Sequence, residues 1–267
     1  KLLPPYLEVI KGSQKIEGLF VMYWDQNTNK VYMEIKPEHF DMIFLSNMTR
    51  TAGDGLYYDG GSMLWEYPFI IYRLHNELQL IEVNTLFRAD SDKAINKLID
   101  RNFSNSIITT AKIVSEPHKD SGAFIVDANE LFIKDLAYVS QHRKGKYLFD
   151  KKNSYFSNIN SYEHNTEFDI IAHFQSRKWT NTYTLPNSHS MMHQYHISLS
   201  LLQNNEKFIS RIADDRIGYF TTIFQDYTNT LQETQYVRYI NKWDLQKKNI
   251  VNNIQNKSLP TVRGNFN

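Results

Sequence analysis

Three histidines in one short segment have the spacing of a metal site. His189, His193 and His196 stand at offsets of four and three, and on a helix these offsets would bring three imidazoles to one face, as zinc ligation requires. However, odd positions from 191 to 201 carry mostly apolar side chains, and even positions from 194 to 200 carry polar ones. This period of two predicts a strand, on which His196 points away from the other two histidines. The pattern therefore disfavours zinc here, and no metal site is predicted elsewhere in the chain.

Contiguous catalytic motifs are absent from the sequence. There is no HExxH, the paired-histidine helix of a zincin, and no GxSxG nucleophile elbow. The chain has no cysteine, which excludes thiol nucleophiles, cysteine-bound zinc and disulfides. The glycine-rich stretch 53–61 lacks both GxGxxG spacing and a terminal Lys-Ser/Thr, so a loop that needs positive φ is the better interpretation. We therefore expect no catalytic residues in this chain and no hydrolysis by it alone.

A charged segment near the C-terminus is the best candidate for a structural or domain-contact site. Its residues are Arg211, Asp214, Asp215, Arg216, Gly218, Tyr219 and Phe220. Close-set opposite charges predict bidentate arginine–carboxylate pairing that braces a turn, with Gly218 allowing close backbone approach. We expect Arg211, Asp214 and Arg216 to form this ion-pair cluster near a surface that meets another domain. A substrate-binding role is the alternative.

The elements that would position these residues are mainly strands. Hairpins are predicted at 18–24 with 30–35 and at 69–74 with 78–83, and further strands at 106–114, 123–126, 166–174, 191–202 and 235–245. Short helices are predicted after caps at Ser91-Asp92 and at Asn129. The predicted fold class is α+β, predominantly antiparallel β with two or three short helices. We expect an N-terminal extension (1–15), a β-rich accessory domain (16–246) with a candidate subdomain seam near 141–162, and a linker or tail (247–267).

Composition argues against two classes of partner. The net charge is +1, and the densest basic cluster, between Arg143 and Lys152, lies among loop-like residues. Nucleic-acid binding is therefore not expected. No apolar run approaches the roughly 20 residues that span a membrane, so no membrane span is expected. Aromatic residues make up 14% of the chain and fit a pleated sheet, with a peptide- or sugar-binding platform as the alternative.

Several blocks, in order, resemble one known family. They are Gly18–Phe20 with Val31–Ile35, Gly53–Asp59, Asn84–Ala89, Phe124–Asp135, Asn153–Phe156, Asn165–Phe168, and Arg211–Phe220 with Tyr239–Leu245. Together, over residues 16–248, they resemble the uncharacterised region upstream of the catalytic domain in bacterial Met-zincin-type zinc-dependent metalloproteases. One departure is that the Asp-Arg-Gly usual in this family after the glycine loop is Asp59-Gly60-Gly61 here. The arginine that the family has in this loop is therefore missing here.

The resemblance implies an accessory role in a secreted or periplasmic peptidase. It implies that the zinc cofactor and the HExxH helix belong to a downstream catalytic domain of the same protein, and that this region packs against that domain, shapes its cleft or helps to select peptide substrates. Three interpretations stay open. The alternatives are a stand-alone peptide- or protein-binding module without a catalytic domain and a self-contained hydrolase with dispersed catalytic residues.

Overall fold

The computed structural model of the chain describes residues 2–90, 92, 94–142, 146–178, 182–202, 209–228 and 235–242. The chain divides into two compact units. The first contains residues 1–82 and 107–201, and the second contains residues 83–106 and 202–267. The candidate seam, 141–162, lies inside the first unit. The predicted tail, the Ser91 half of the helix cap and the end of the strand predicted at 235–245 lie outside the described residues. The predicted domain boundaries stay predictions.

Strands are the predominant regular structure among the described residues. In chain order the elements are α1 (Tyr6–Val9), β1 (Gln14–Ile16), β2 (Met22–Asp25), β3 (Lys30–Ile35), β4 (Ile43–Ala52), β5 (Ser62–Leu74), β6 (Glu77–Glu82), β7 (Phe87–Arg88), α2 (Ala94–Asn102), β8 (Ser106–Lys112), β9 (Phe124–Asp127), α3 (Ala128–Phe132), β10 (Leu148–Phe149), β11 (Tyr155–Ser161), β12 (Asn165–Gln175), β13 (Ser190–Leu201), β14 (Thr221–Asp226) and β15 (Gln235–Ile240), with 3₁₀ turns at Pro37–Asp41 and Lys151–Asn153.

The prediction of a mainly antiparallel β fold with short helices is confirmed. The structure is 46% strand and 12% helical. Among the described strand pairs, only β7 with β14 is parallel. Both predicted hairpins form, as β2–β3 and β5–β6. The turn of the second hairpin has His75 at φ 54°. No helix in the described part of the chain is long and apolar enough to cross a membrane.

The first unit contains two sheets that share one core. The larger sheet has the order β10-β12-β13-β4-β5-β6-β8, with β11 also paired to β12, and the smaller has the order β1-β2-β3-β9. One cluster of buried side chains includes Met22 and Met33 of the smaller sheet and Phe44 and Phe69 of the larger. Phe44 and Phe69 are cross-strand partners whose rings stack at 5.4 Å. Full burial of such side chains stabilises the fold by roughly 1.5–3 kcal/mol each.

The predicted second helix is shorter than expected and begins elsewhere. Asp127, not Asn129, is its N-cap, because the Asp127 carboxylate accepts hydrogen bonds from the backbone N–H groups of Asn129 and Glu130. The helix ends at Phe132, so Leu136 and Val139 follow it rather than lie on its face. The first predicted helix is present as α2. Its start cannot be compared with the predicted cap, because Ser91 lies outside the described residues.

Several strands are absent from the prediction. The polar stretch 141–162, the candidate subdomain seam, contributes β10 and β11 to the edge of the large sheet. Strand β11 is rich in Asn and Ser because most of its side chains are exposed, so the apolar pattern of a strand is weak there. Strand β4 and the first half of β5 were also not predicted.

The second unit has a small sheet of its own. Its order is β15-β14-β7. Arg88 pairs with Asp226 at 3.1 Å, and its side chain also donates to the Tyr239 hydroxyl at 2.6 Å. Phe87 stacks on Phe103, which follows α2, at 3.8 Å. The helix is thereby held to the strand that precedes it in the sequence.

Candidate functional site

The structure separates the three candidate metal ligands. The predicted strand is β13, where His193 is 1% exposed on the core face. His196 lies on the opposite face, with its Nδ1 2.8 Å from Asp169 Oδ1. His189 precedes the strand and its Nδ1 is 2.9 Å from the Ser176 carbonyl oxygen. No group of three or more metal-ligating side chains occurs within the part of the chain that the structure describes.

The charged segment 211–220 forms pairs at the surface. Arg216 Nε and Nη2 donate to the two Asp214 carboxylate oxygens at 2.9 and 2.5 Å, and Asp215 pairs with Arg238. Arg211 makes no ion pair within the described residues, so it does not join the predicted cluster. A Cβ on Gly218 would meet no atom within 4 Å, so the predicted close backbone approach at Gly218 is wrong. Phe220 is 90% exposed.

A buried arginine on β4 defines a different site, which no sequence motif indicates. Side chains alternate across β4, so Met48 and Arg50 share the core face of the large sheet. Their cross-strand partners on β13 are Ile197 and Tyr195. Arg50 is only 7% exposed. A charged side chain therefore lies on the same buried face as the apolar side chains of Phe44 and Met48.

The described partners of the Arg50 guanidinium are uncharged groups, and the Tyr195 hydroxyl is one of them. Its Nη1 donates to the carbonyl oxygen of Asp59 at 3.3 Å, and its Cζ lies 5.2 Å from the ring centroid of Tyr58. Its Nε is buried and has no hydrogen-bond partner among the described residues. No described carboxylate lies within 4.0 Å of it. A buried charge without a counter-ion is energetically costly.

The glycine-rich loop between β4 and β5 holds Tyr58 over this arginine. A Cβ on Gly53 would lie 2.0 Å from the Tyr58 carbonyl oxygen and 2.7 Å from Arg50 Cδ. The Tyr58 N–H donates to the Asp54 carbonyl oxygen at 2.7 Å. At the end of the loop Gly61 has φ 83°, which confirms the prediction of a loop that needs positive φ. The loop is thus folded tightly against β4.

Two further core-facing side chains complete the polar group around Arg50. His193 Nδ1 and the Tyr195 hydroxyl are 2.7 Å apart and share a hydrogen bond. Burial, assisted by the positive charge of Arg50, lowers the pKa of His193 to about 3. His193 is therefore neutral at neutral pH, and its Nε2 has no partner among the described residues. Arg50 carries the only permanent positive charge of this group.

Arg50 lines a cavity of about 430 Å³. The other lining residues are Tyr57, Tyr58, Leu64, Trp65, Ala137, Tyr138 and His142. Tyr138 is in the segment after α3, has φ 54° and is 53% exposed. The volume is within the range of small-ligand pockets. Four aromatic side chains around one guanidinium form a surface that suits a ligand with both an apolar part and a polar group.

Residues 69–248 match the family model described as "Domain of unknown function (DUF5117)". The match covers about two-thirds of the chain. The chain belongs to the DUF5117 family. Neither the curated proteins nor the solved structures include a match to it. Of the residues that line the cavity of this DUF5117 chain, Ala137, Tyr138 and His142 lie inside the matched range, and the β4–β5 residues precede it.

A carboxylate, an imidazole and a hydroxyl also meet in series on the outer face of the large sheet. His173 Nδ1 is 2.9 Å from Asp150 Oδ2, and His173 Nε2 is 2.8 Å from Ser190 Oγ. The order matches that of a hydrolytic triad. However, the Ser190 N–H, a natural oxyanion donor, is taken by the Asn187 carbonyl oxygen at 3.1 Å, and Asp150 Oδ1 accepts from the Lys152 N–H. We interpret the network as one that fixes β10, β12 and β13 in this DUF5117 chain.

The contrast between Asp150 and Asp214 gives a first prediction. Asp214→Ala is expected to change the melting temperature little, because an exposed ion pair gains little from solvent-screened charges. Asp150→Ala is expected to lower it clearly, because His173, Asn153 and Gln175 all bind this carboxylate, at 2.9, 2.6 and 2.7 Å. Thermal denaturation of both variants tests the order. A larger loss for Asp214→Ala would contradict it and restore the predicted bracing role.

Proposed function

We propose that this DUF5117 chain is a non-catalytic accessory region of a secreted or periplasmic zinc metalloprotease, and that it binds peptide in the cavity beside Arg50. The observation that carries the proposal is this aromatic-lined cavity around a buried guanidinium. Apolar and aromatic walls with a few fixed polar groups are typical of ligand sites. The ordered sequence blocks that resemble the region upstream of Met-zincin catalytic domains supply the link to a protease.

The exposed segment 211–220 supports a contact with another domain. Ile212, Ile217 and Phe220 are 69%, 57% and 90% exposed, and large apolar side chains left in water at one segment are typical of interaction surfaces. In the proposal, this segment meets the catalytic domain, which holds the zinc. The runner-up is a stand-alone peptide-binding module. The sequence of the full gene separates the two, because an HExxH motif downstream favours the first.

Peptide binding is tested on the purified chain. Trp65 lines the cavity, so binding of unfolded casein-derived peptides is followed by tryptophan fluorescence and by calorimetry. Tyr138→Ala is expected to weaken binding about fivefold or more, because an aromatic contact contributes roughly 0.5–1.5 kcal/mol beyond its buried area. The matched control is Tyr72→Ala on β5, since Tyr72 is similarly exposed, at 49%, but does not line the cavity. Equal affinities of the two variants would place binding elsewhere.

A further inference from the structure

We infer that the ligand of the Arg50 cavity carries a carboxylate group, and that Arg50 binds this carboxylate. The inference rests on the proposed function, since it names the chemistry of the peptide group that enters the cavity. The group is either the C-terminal carboxylate of a peptide or an Asp or Glu side chain within it. Both sources present the same planar pair of oxygens to a guanidinium.

The charge balance of the site leads to this inference. Arg50 is 7% exposed, yet no described carboxylate lies within 4.0 Å of it. Of the two nearby acids, Asp135 is engaged, because its oxygens accept from the N–H groups of Val139 and Ser140 at 2.9 and 2.8 Å. Asp54 accepts from Thr184 through Oδ1, while its Oδ2 is buried without a hydrogen-bond partner among the described residues and makes no ion pair with Arg50. The buried cation therefore lacks the partner that would offset its desolvation. An incoming carboxylate would supply that partner.

The arginine is also held in place before any ligand binds. Its backbone is fixed in the β4 ladder between β5 and β13. Its side chain lies between the loop backbone at Gly53 and the ring of Tyr58. A guanidinium that is already ordered loses little conformational entropy on binding. Such a preformed, largely buried position favours a charge-assisted contact over one at the surface.

The composition of the walls favours a carboxylate over other anions. Phosphate groups carry up to two charges and are usually held by several cations or by a series of backbone N–H groups. Among the described residues that line it, this cavity offers one permanent cation and four aromatic rings. A ligand with a single negative charge next to an apolar group would balance the charge of Arg50 and cover the aromatic rings. A peptide end with an apolar last residue has this form.

The test uses four synthetic pentapeptides and the full 267-residue chain. One pair is Gly-Gly-Ala-Phe-Leu with a free or an amidated C-terminus. The second pair has an amidated C-terminus and Glu or Gln in the centre, Gly-Phe-Glu-Leu-Gly against Gly-Phe-Gln-Leu-Gly. Calorimetry on wild type is expected to show at least one acid form binding ten times or more tighter than its neutral partner. Which pair shows the difference identifies the source of the carboxylate.

Arg50 variants assign the preference to this residue. In Arg50→Met the acid and neutral forms are expected to bind equally, with the affinity of the wild-type neutral form. Arg50→Lys keeps the charge without the planar fork, so a reduced preference for the acid form is expected. The lysine variant keeps the test decisive if the methionine variant does not fold. Acid and neutral forms that bind wild type equally well would overturn the carboxylate inference but leave peptide binding intact. Failure of all four peptides to bind would overturn the proposed function as well.

Discussion

Gly53→Ala is expected to destabilise the chain and to damage the Arg50 cavity, whereas Gly55→Ala in the same loop is expected to do neither. A Cβ at position 53 would lie 2.0 Å from the Tyr58 carbonyl oxygen and 2.7 Å from Arg50 Cδ. The first of these atoms belongs to the backbone and cannot rotate away. A Cβ at position 55 would meet no atom within 4 Å. The two changes therefore add the same methyl group to one loop with opposite steric consequences.

The loss of stability expected for Gly53→Ala follows from the groups that the added methyl group must displace. Separating the methyl group from the Tyr58 carbonyl displaces the turn that pairs Asp54 with Tyr58 and lifts the Tyr58 ring from Arg50. Overpacking of this kind costs about 1–3 kcal/mol, whereas an alanine in open space changes stability by roughly 0.5 kcal/mol or less. Chemical denaturation measures the first difference, and pentapeptide calorimetry measures the loss of binding. If Gly53→Ala matched Gly55→Ala in both, the tight packing of the loop on β4 would be wrong.

The sequence predicted β13 correctly and missed Arg50 for related physical reasons. Strand β13 alternates polar and apolar side chains from Gln194 to Leu201, so its period reveals both the strand and its buried face. In β4 the same face carries Phe44, Ser46, Met48 and Arg50, and two polar residues among four hide the period. If Phe44 and Met48 are taken to mark a strand, Arg50 lies an even number of positions from both and is therefore placed on the same, core face.

For the charged segment 211–220, the sequence predicted an ion pair correctly but did not predict how exposed it is. The spacing of Asp214 and Arg216 predicted their ion pair. Side chains two positions apart in a turn lie close together regardless of the rest of the fold. Burial depends on the rest of the chain, and the Arg216 side chain is 87% exposed. Likewise, nothing local indicates that Tyr58, Trp65 and Tyr138 meet at one cavity. Their approach depends on the β4–β5 loop and on the segment after α3, which are distant in sequence.

Between pH 6.5 and 4.5 the stability of the chain is expected to fall, with two buried histidines as a main cause. His39 and His193 are 3% and 1% exposed. Burial lowers the pKa of His39 to about 4, and burial together with the Arg50 charge lowers that of His193 to about 3. In the unfolded chain both would titrate near 6.5. Below pH 6.5 the unfolded chain therefore binds protons that the folded chain does not, and folding loses up to roughly 1.4 kcal/mol per histidine per pH unit.

The variants His39→Asn and His193→Asn are expected to flatten this slope, each by about one proton. Asparagine Oδ1 occupies nearly the position of histidine Nδ1, so it can still accept the Lys36 N–H at position 39 or bind the Tyr195 hydroxyl at position 193. The control is His75→Asn. His75 is exposed in the β5–β6 turn, where its φ of 54° suits asparagine, so this variant should keep the wild-type slope.

Other groups also titrate in this pH range. Comparing the pH slopes of the variants therefore identifies which groups cause the loss of stability. Burial raises the pKa of Glu66, so Glu66 stabilises the folded chain at low pH and opposes the histidines. The carboxylates of Asp150 and Asp226 have lowered pKa values, so their contributions are lost mainly below the window. Urea denaturation at half-unit pH steps gives the slope for each protein. Parallel slopes for wild type and both buried-site variants would mean that the protons bind elsewhere and that His193 beside Arg50 can be charged in the folded chain.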